Sequence, residues 1–595
     1  MACSNTATGQ CSSAFGSGTQ ALGDASFTEG FETIAVGVAS HAEGSQTIAQ
    51  GDISHSEGFH TAAVGAASHA EGYTTESNAL YSHSEGAQTL VDAAGIAAHA
   101  EGYLCTASGS AAHVEGSMCT ASGTAAHAQG YQTSAVGDAS HAEGFSTLAF
   151  AAYSHAEGQG TIATGPVSHS EGFNTQAVGN AAHAEGSSTL SFGTASHAEG
   201  YLTQAFDDAA HSEGYRTNAS AYASHAEGSL TSALGVASHA EGLATIASGL
   251  NAHAEGQSAR ATGNTSHAEG LSTRAIGDFA HAEGSSSIAS GTVSHAEGQQ
   301  CQATANFAHA EGASTLASGP ASHAQGQLTQ ATANNAFASG LNTIAGGPQA
   351  SAIGTNLNTG NNSDTFLIGR NGLLSAGVSP GLYVANGASS FDPAGVVAHI
   401  NGAGEGCFEG TVTAAAFVTA AVACDYAEMF ETASGEKIDV GYFVTFDGAT
   451  DKVRIATDTD DYIVGVISSN PGVLADTEDV SCSKYMYDEW NRQIFVDTKV
   501  DAVIDVEGNI LLPERIERRP AINPYWDPNW TCKKRTERDE WVPVGLIGKL
   551  LVRDEGDCQV GSYCKSNSNG MAQPAATGYR VMKRVTPNII QILIK

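Results

Sequence analysis

Histidine recurs at fourteen-residue intervals from His41 to His323, with one sixteen-residue step between His83 and His99. Phe27 and Phe337 hold the same phase at the two ends and Ser351 continues it, so twenty-three steps separate Phe27 from Ser351 once the two-residue insertion is removed. So strict and short a period excludes most ways of folding a long chain. It is too short for leucine-rich repeats of about 20 residues or helical repeats of about 33, and a unit of this size can bury its inner face only by stacking on copies of itself.

One unit, SHSEGFHTAAVGAA at 54–67, gives the local structure. Ser54, Ser56 and Gly58 alternate with His55 and Glu57; Thr61, Ala63 and Gly65 alternate with Ala62 and Val64. Period-two alternation means extended strands. Two short strands and two Gly-containing turns make one coil of a β-solenoid, with the small residues pointing into a narrow interior. Cys105, Cys119 and Cys301 fall in the Thr phase and read as interior packing, with a stacked Cys105–Cys119 bridge left open. At a strand spacing of about 4.8 Å the repeat would form roughly 110 Å of shaft. So thin a coil has little apolar interior, and outward residues such as Ile48 and Val64 are placed to bury against neighbouring chains.

The repeat resembles the left-handed parallel β-roll head of YadA-like trimeric autotransporter adhesins, whose small-residue pattern is matched by Ser40, Ala42 and Gly44, then Ala49 and Gly51. The resemblance implies an all-β, left-handed, trimeric β-roll over 27–354, each chain packing on two identical partners. No export signal, heptad stalk or C-terminal membrane barrel accompanies it. Residues 1–26 read as an N-terminal tip or cap without the features of a signal peptide.

The regularly spaced His and Glu side chains raise the question of metal. Like residues in adjacent coils form ladders rather than closed tetrahedral centres, so the histidines read as a structural stack; no cofactor is predicted and any structural ion is left unassigned. A metal-binding repeat protein is the minor alternative.

Charge divides the chain. The first 424 residues hold four basic side chains, Arg216, Arg260, Arg274 and Arg370, whereas the rest hold the other 20 and all four Trp. A formal charge of −37 opposes binding to nucleic acid or an anionic membrane, and no apolar run reaches the length of an integral membrane segment. Cys482, Cys532, Cys558 and Cys564 match no strong zinc spacing and read as free or packed thiols. Residues 355–424 read as a β-rich neck with strands near Val396–Ile400 and Cys407–Val412. In the C-terminal part, Tyr462–Ile467 and Val542–Leu551 read as buried strands, with Gly465, Gly545 and Gly548 allowing close approach. The basic cluster Arg515, Arg518, Arg519 and Lys533–Arg535 reads either as a dock for acidic shaft surfaces or as a solvated face.

At the boundary stands CDYAEMFE, 424–431, which concentrates Asp425, Glu428 and Glu431. Carboxylates so placed can orient a peptide, activate water or move a proton, although an acidic surface turn has the same sequence. With GEGCFEGTVTAAAF ahead of it, and DYIVGVISSNPGVLAD and WVPVGLIGKLLVRDEG behind, the segment resembles the peptidase G2-type intramolecular-chaperone domains found at the ends of phage appendages and fibres. The resemblance implies that 425–595 assists trimer assembly and then cuts itself away once, at Cys424–Asp425. Asp425 and Glu428 take the family's catalytic positions, and Cys424 is the neighbour across the cut, standing where Ser is expected. Cys424 lies before the bond rather than after it, which disfavours a thiol nucleophile. A mutually activated Asp425/Glu428 pair fits the chemistry. The expected protein is a homotrimeric fibre or appendage on a virion or extracellular surface, made in the cytoplasm and contacting a virion baseplate or host-surface receptor. A receptor-binding adhesin is the alternative.

Overall fold

A computed structural model describes residues 4–409, 412, 425–477, 479, 483–504, 510–527 and 533–595. The chain forms two units, Met1–Gly354 and Thr355–Lys595.

The first unit is a parallel β-solenoid. Each coil has a five-residue strand such as His41–Ser45 and a two-residue strand such as Ile48–Ala49. These pair in parallel with the next coil so that His41 faces His55, Glu43 faces Glu57 and Ile48 faces Ala62. Small residues fill the interior as expected: Ser40, Ala42, Thr47 and Ala49 are all buried. Their hydroxyls are used locally, the Ser40 Oγ donating to the Gly37 carbonyl (2.7 Å) and the Thr47 Oγ1 to the Glu43 carbonyl (3.1 Å). Satisfaction is not uniform along the shaft: the hydroxyls of Thr33, Thr133 and Thr147 are buried with no hydrogen-bond partner among the described residues.

The coil closes because the chain turns back through left-handed residues at half-coil intervals: Ala39, Gln46, Ile53 and His60 have φ of 55°, 60°, 60° and 56°. Side chains with a Cβ hold this region at some cost, which the parallel ladder on either side offsets. The Gly of each HAEG carries a tighter constraint. At Gly186, φ is +105° and a Cβ would fall well within 3.0 Å of the Gly200 carbonyl oxygen in the next coil. The insertion between His83 and His99 leaves that pairing intact, because the extra residues are absorbed in the turn after Val91, where Gly95 N donates to the Asp92 carbonyl (2.9 Å).

The solenoid begins earlier than the repeat predicts. Thr6–Ala7 pairs with Gln20–Ala21, and Ser13–Ser17 pairs with Phe27–Phe31, so coils occupy much of the 1–26 segment read from sequence as a tip or cap. There Ser13 and Phe15 stand at the His and Glu positions while Gly16 keeps its place opposite Gly30. Cys105, Cys119 and Cys301 are buried interior residues, and Cys105 and Cys119 are free thiols; the bridge left open above is not formed.

In the second unit, Thr365–Leu373 pairs in parallel with Gly381–Asn386, so the parallel mode extends into the neck. Antiparallel pairing follows: Val396–Asn401 pairs with Gly381–Asn386 and with Gly406–Phe408. Next comes a ten-stranded sheet centred on the long strand Trp541–Arg553. Phe443, Val466, Leu550, Val552, Ile590 and Ile592 form one apolar core of this region; Val444, Val453, Ile467, Val542 and Val544 form a second. Of the expected strand at 462–467, only Gly465–Ile467 is a strand, and Tyr462 is 62 % exposed. Among the described residues, no helix is long and apolar enough to cross a membrane.

Candidate autoproteolytic site

The strand Asp425–Glu431 lies between two partners. It pairs antiparallel with Trp541–Arg553, Asp425 facing Gly548, and parallel with Val473–Ala475, Tyr426 facing Val473. The Asp425 carbonyl accepts a hydrogen bond from Gly472 N (2.9 Å). Asp425, Ala427 and Met429 are buried, while Tyr426, Glu428 and Phe430 point to the other, half-buried side. This alternation follows from the strand itself.

Asp425 is 9 % exposed, and its Oδ2 has no hydrogen-bond partner among the described residues. It lines a cavity of about 750 Å³ together with Gly441, Ile467, Ser468, Asn470 and Lys549. Space for the carboxylate comes from glycine: a Cβ on Gly545 would lie 3.1 Å from Asp425 Oδ2, and Gly465 packs against the Gly545 backbone. Two of the glycines expected to permit close approach thus shape this site. An unpartnered buried carboxylate oxygen is costly, so its presence at the start of this strand is evidence for a role.

Glu428 is placed differently. Its Oε1 accepts from the Tyr426 hydroxyl (2.5 Å), and this hydrogen bond is the main cause of the raised Tyr426 pKa. Asp425 and Glu428, three positions apart on one strand, face opposite sides, so a single chain does not bring them together as a carboxylate pair. Glu431 binds Lys452 (2.7 Å). Cys424 lies outside the described residues, as do Cys482 and Cys532. Cys558 and Cys564 are buried free thiols; burial, as the leading cause, pushes Cys558 up and Cys564 up to about 12, which suits packing rather than ligation.

The basic cluster is engaged within its own unit. Arg515 Nε and Arg519 Nη2 bind Glu517 at 2.6 and 2.7 Å, and Arg370 Nη2 binds the same carboxylate at 2.8 Å. Arg535 stacks 4.0 Å over the Trp541 ring and pairs with Asp476. Sequence reasoning missed two groupings, Glu409 with Lys484 and Tyr485, and Glu517 with Arg370, since no local pattern links positions so far apart.

In the shaft the imidazoles stack at 4.6–4.8 Å through long runs, as between His41 and His55 or His169 and His183. Phe27 and Phe337 meet the ends of the stack edge-on. His69, Glu71 and His83 exemplify triplets whose donor atoms lie within 4.8 Å of one another, a donor set able to bind a cation. Each such Nε2 is buried without a hydrogen-bond partner, and Glu71 Oε2 lies 3.6 Å from His69 Nε2.

The family model described as Peptidase_G2, IMC autoproteolytic cleavage domain, matches residues 394–591. The pre-neck appendage protein of Bacillus phage B103 is 32 % identical over 164 residues, covering 27 % of this chain and 17 % of that protein. The putative phage-related protein YobO of Bacillus subtilis (strain 168) is 31 % identical over 162 residues, covering 27 % and 18 %. A crystal structure of the bacteriophage phi29 gene product 12 C-terminal fragment is 27 % identical, covers 29 % of this chain and 100 % of that one, and has a TM-score of 0.24. The chain thus spans only 17–18 % of the length of these two curated relatives. Behind the fourteen-residue-repeat solenoid, residues 394–591 of this chain are thus similar to the Peptidase_G2 autoproteolytic cleavage domains.

Proposed function

We propose that this chain is one subunit of a homotrimeric fibre or appendage, displayed on a virion or extracellular surface, whose C-terminal domain aligns three chains and then cuts itself away at Cys424–Asp425. The observation that carries this reading is the buried Asp425 carboxylate, whose unpartnered oxygen lies where Asp425 lines a cavity at the start of its strand. Alignment has a clear purpose in a repeat shaft, because a slip of one coil produces another complete strand ladder.

In this reading the chain comprises an N-terminal tip or cap over 1–26, already wound into coils, a β-roll over 27–354, a neck over 355–424 and the clamp over 425–595. Left-handed winding and three-fold packing rest on the YadA-like small-residue pattern. Outward apolar residues such as Ile48, 38 % exposed, would meet the partner chains.

The cut is a single hydrolysis. Water adds to the Cys424 carbonyl carbon, the C–N bond breaks, and the Asp425 nitrogen leaves as an amine with the proton it gains. Asp425 aligns the peptide or the water from its cavity. Glu428 serves as acid or base, and since it faces away from Asp425 in its own strand, another chain must present it. Cutting would then follow assembly. Co-expressed D425A and E428A chains test this: mixed trimers should cut the E428A chain, which keeps Asp425, while each variant alone stays whole. No cutting in mixed trimers would refute action between chains.

An adhesin reading draws on exposed stacked pairs such as Tyr201 and Tyr215, with ring centroids 5.4 Å apart, as a receptor-facing surface. Loss of receptor binding in a Tyr201→Ser, Tyr215→Ser trimer of unchanged mass would favour it. A metal-binding role rests on the His–Glu–His triplets alone.

A further inference from the structure

Glu428 does not stand alone on its side of the strand Asp425–Glu431. Residues two apart on a strand share a face, so the side chains of Tyr426 and Glu428 leave it together, both half-buried. The Tyr426 hydroxyl reaches Glu428 Oε1 at 2.5 Å, the short end of the range for a hydroxyl on a carboxylate. Among the described residues no other group bonds Glu428, so its Oε2 is left free. Backbone ladders fix the strand on both edges: Tyr426 faces Val473 and Ile547, and Glu428 faces Ala475 and Val544. All four facing residues are uncharged. The charge that comes next, Asp476 beyond the strand Val473–Ala475, is taken up by Arg535, which stacks 4.0 Å over the Trp541 ring. The Glu428 hydrogen bond first, then burial and the charges of Glu428 and Asp476, raise the Tyr426 pKa, so the phenol keeps its proton and stays a donor.

The geometry points to Tyr426 as a positioning residue for the cut: its hydroxyl fixes the Glu428 carboxylate by one oxygen and leaves the other to act on the bond of another chain. This inference rests on the proposed cleavage at Cys424–Asp425 and assigns Glu428 its role in it. A donated hydrogen bond favours the charged form of a carboxylate, so Glu428 enters as the base. Its Oε2 takes one proton from water as the water oxygen bonds to the Cys424 carbonyl carbon. It returns that proton to the Asp425 nitrogen as the C–N bond breaks, and the Tyr426 proton never leaves its oxygen. A glutamate on its flexible stem would otherwise sample several rotamers, and a misplaced base transfers protons far more slowly.

Tyr426→Phe removes the hydroxyl and leaves the ring. Wild-type, Y426F and E428Q chains are made by cell-free synthesis, allowed to assemble, and stepped into buffers from about pH 5.5 to 8.5, spanning both sides of neutrality. Native gels read the trimer, and mass spectrometry reads the fragment beginning at Asp425 as a fraction of assembled chains. Y426F trimers should cut about ten- to a hundredfold more slowly at neutral pH, the loss expected for one hydrogen bond to a charged group. Their cutting should also fade at a higher pH than in wild type, because a carboxylate without its donor takes up a proton sooner as pH falls. E428Q trimers should stay whole, and E428Q that cuts like wild type would remove Glu428 from the chemistry and Tyr426 with it. Y426F that cuts at the wild-type rate would overturn the positioning role while leaving the cut in place. So would Y426F slowed by one constant factor at every pH, the mark of lost packing alone. Wild-type trimers that never yield the Asp425 fragment would refute the cut and the role together.

Discussion

Replacing Gly186 by Ala should open the shaft locally while leaving distant coils unchanged. Gly186 has φ of +105°, and its Cβ would intrude on the Gly200 carbonyl oxygen and lie 2.9 Å from the Gly200 amide nitrogen. Both are backbone atoms of the neighbouring strand, held in the ladder from His183–Ser187 to His197–Tyr201, so neither can rotate aside. The φ value alone costs about 1–3 kcal/mol for a residue with a Cβ. Displacing one ladder hydrogen bond adds about 1 kcal/mol. The total is about 2–4 kcal/mol, a fall of roughly thirty- to several-hundred-fold in amide protection. Hydrogen exchange read by mass spectrometry is the right assay, because a long repeat array need not unfold in two states and loses cooperativity locally. Peptides across 183–201 should exchange faster while peptides near His295 stay at wild-type rates. Gly377→Ala is the control: its φ is +78° but nothing lies within 4 Å of a Cβ, so only the backbone term applies. Protection within threefold of wild type around Gly186 would refute the close-stacking account of these glycines.

Acidification should lower the melting temperature of the shaft. Burial, then the charge of neighbouring rings, lowers the imidazole pKa of His69, His155, His225 and His295 below its ordinary value. Stability from these groups is complete above the unfolded value of about 6.5 and is lost as pH falls through the lower folded values. Glu57, pushed up to about 7 by hydrogen bonding with Glu43 and Glu71, acts oppositely, its contribution being present at low pH and lost as pH rises through about 7. The lowered histidines outnumber the raised glutamates, so scanning calorimetry from pH 7.5 to 5.5 after chelation should show a falling midpoint; a rise would reverse the assignment. Zinc added at pH 7.5 should move the midpoint less than that pH step, and strong saturable zinc stabilisation without a pH response would contradict the structural-stack reading. Arg584→Met should destabilise the C-terminal domain by about 3–5 kcal/mol in denaturant titration, because it strands the fully buried Asp554 side chain; a change below about 1 kcal/mol would show the pair to be dispensable.

The shaft was legible because its period leaves little freedom: alternation over 54–67 sets both the strands and the inward small residues. The first coils were hidden because Ser13 and Phe15 replace the His and Glu that announce each unit. Glycine gives the better signal, since Gly9, Gly16, Gly23 and Gly30 keep a seven-residue beat where histidine is absent. That beat is half a coil, the interval at which left-handed residues turn the chain. Side chains such as Ile53 and His60 at those positions carry no sequence mark of positive φ. The strand that begins at Asp425 follows a change of composition that is visible in the sequence. The separation of Asp425 from Glu428 was implicit in their odd spacing, since strand residues three apart cannot share a face. The union of Glu409 with Lys484 and of Arg370 with Glu517 had no sequence signal, because it joins segments brought together only by folding.

The central claim is that this domain cuts its own chain at Cys424–Asp425. The most direct test is the intact mass of purified wild type and E428A, incubated without added protease, with oligomeric state read in parallel. The account predicts trimers of both, a wild-type fragment beginning at Asp425, and an E428A chain that stays largely whole. Wild type that folds and assembles yet never yields that fragment would contradict it, as would E428A cut at the same bond at the wild-type rate.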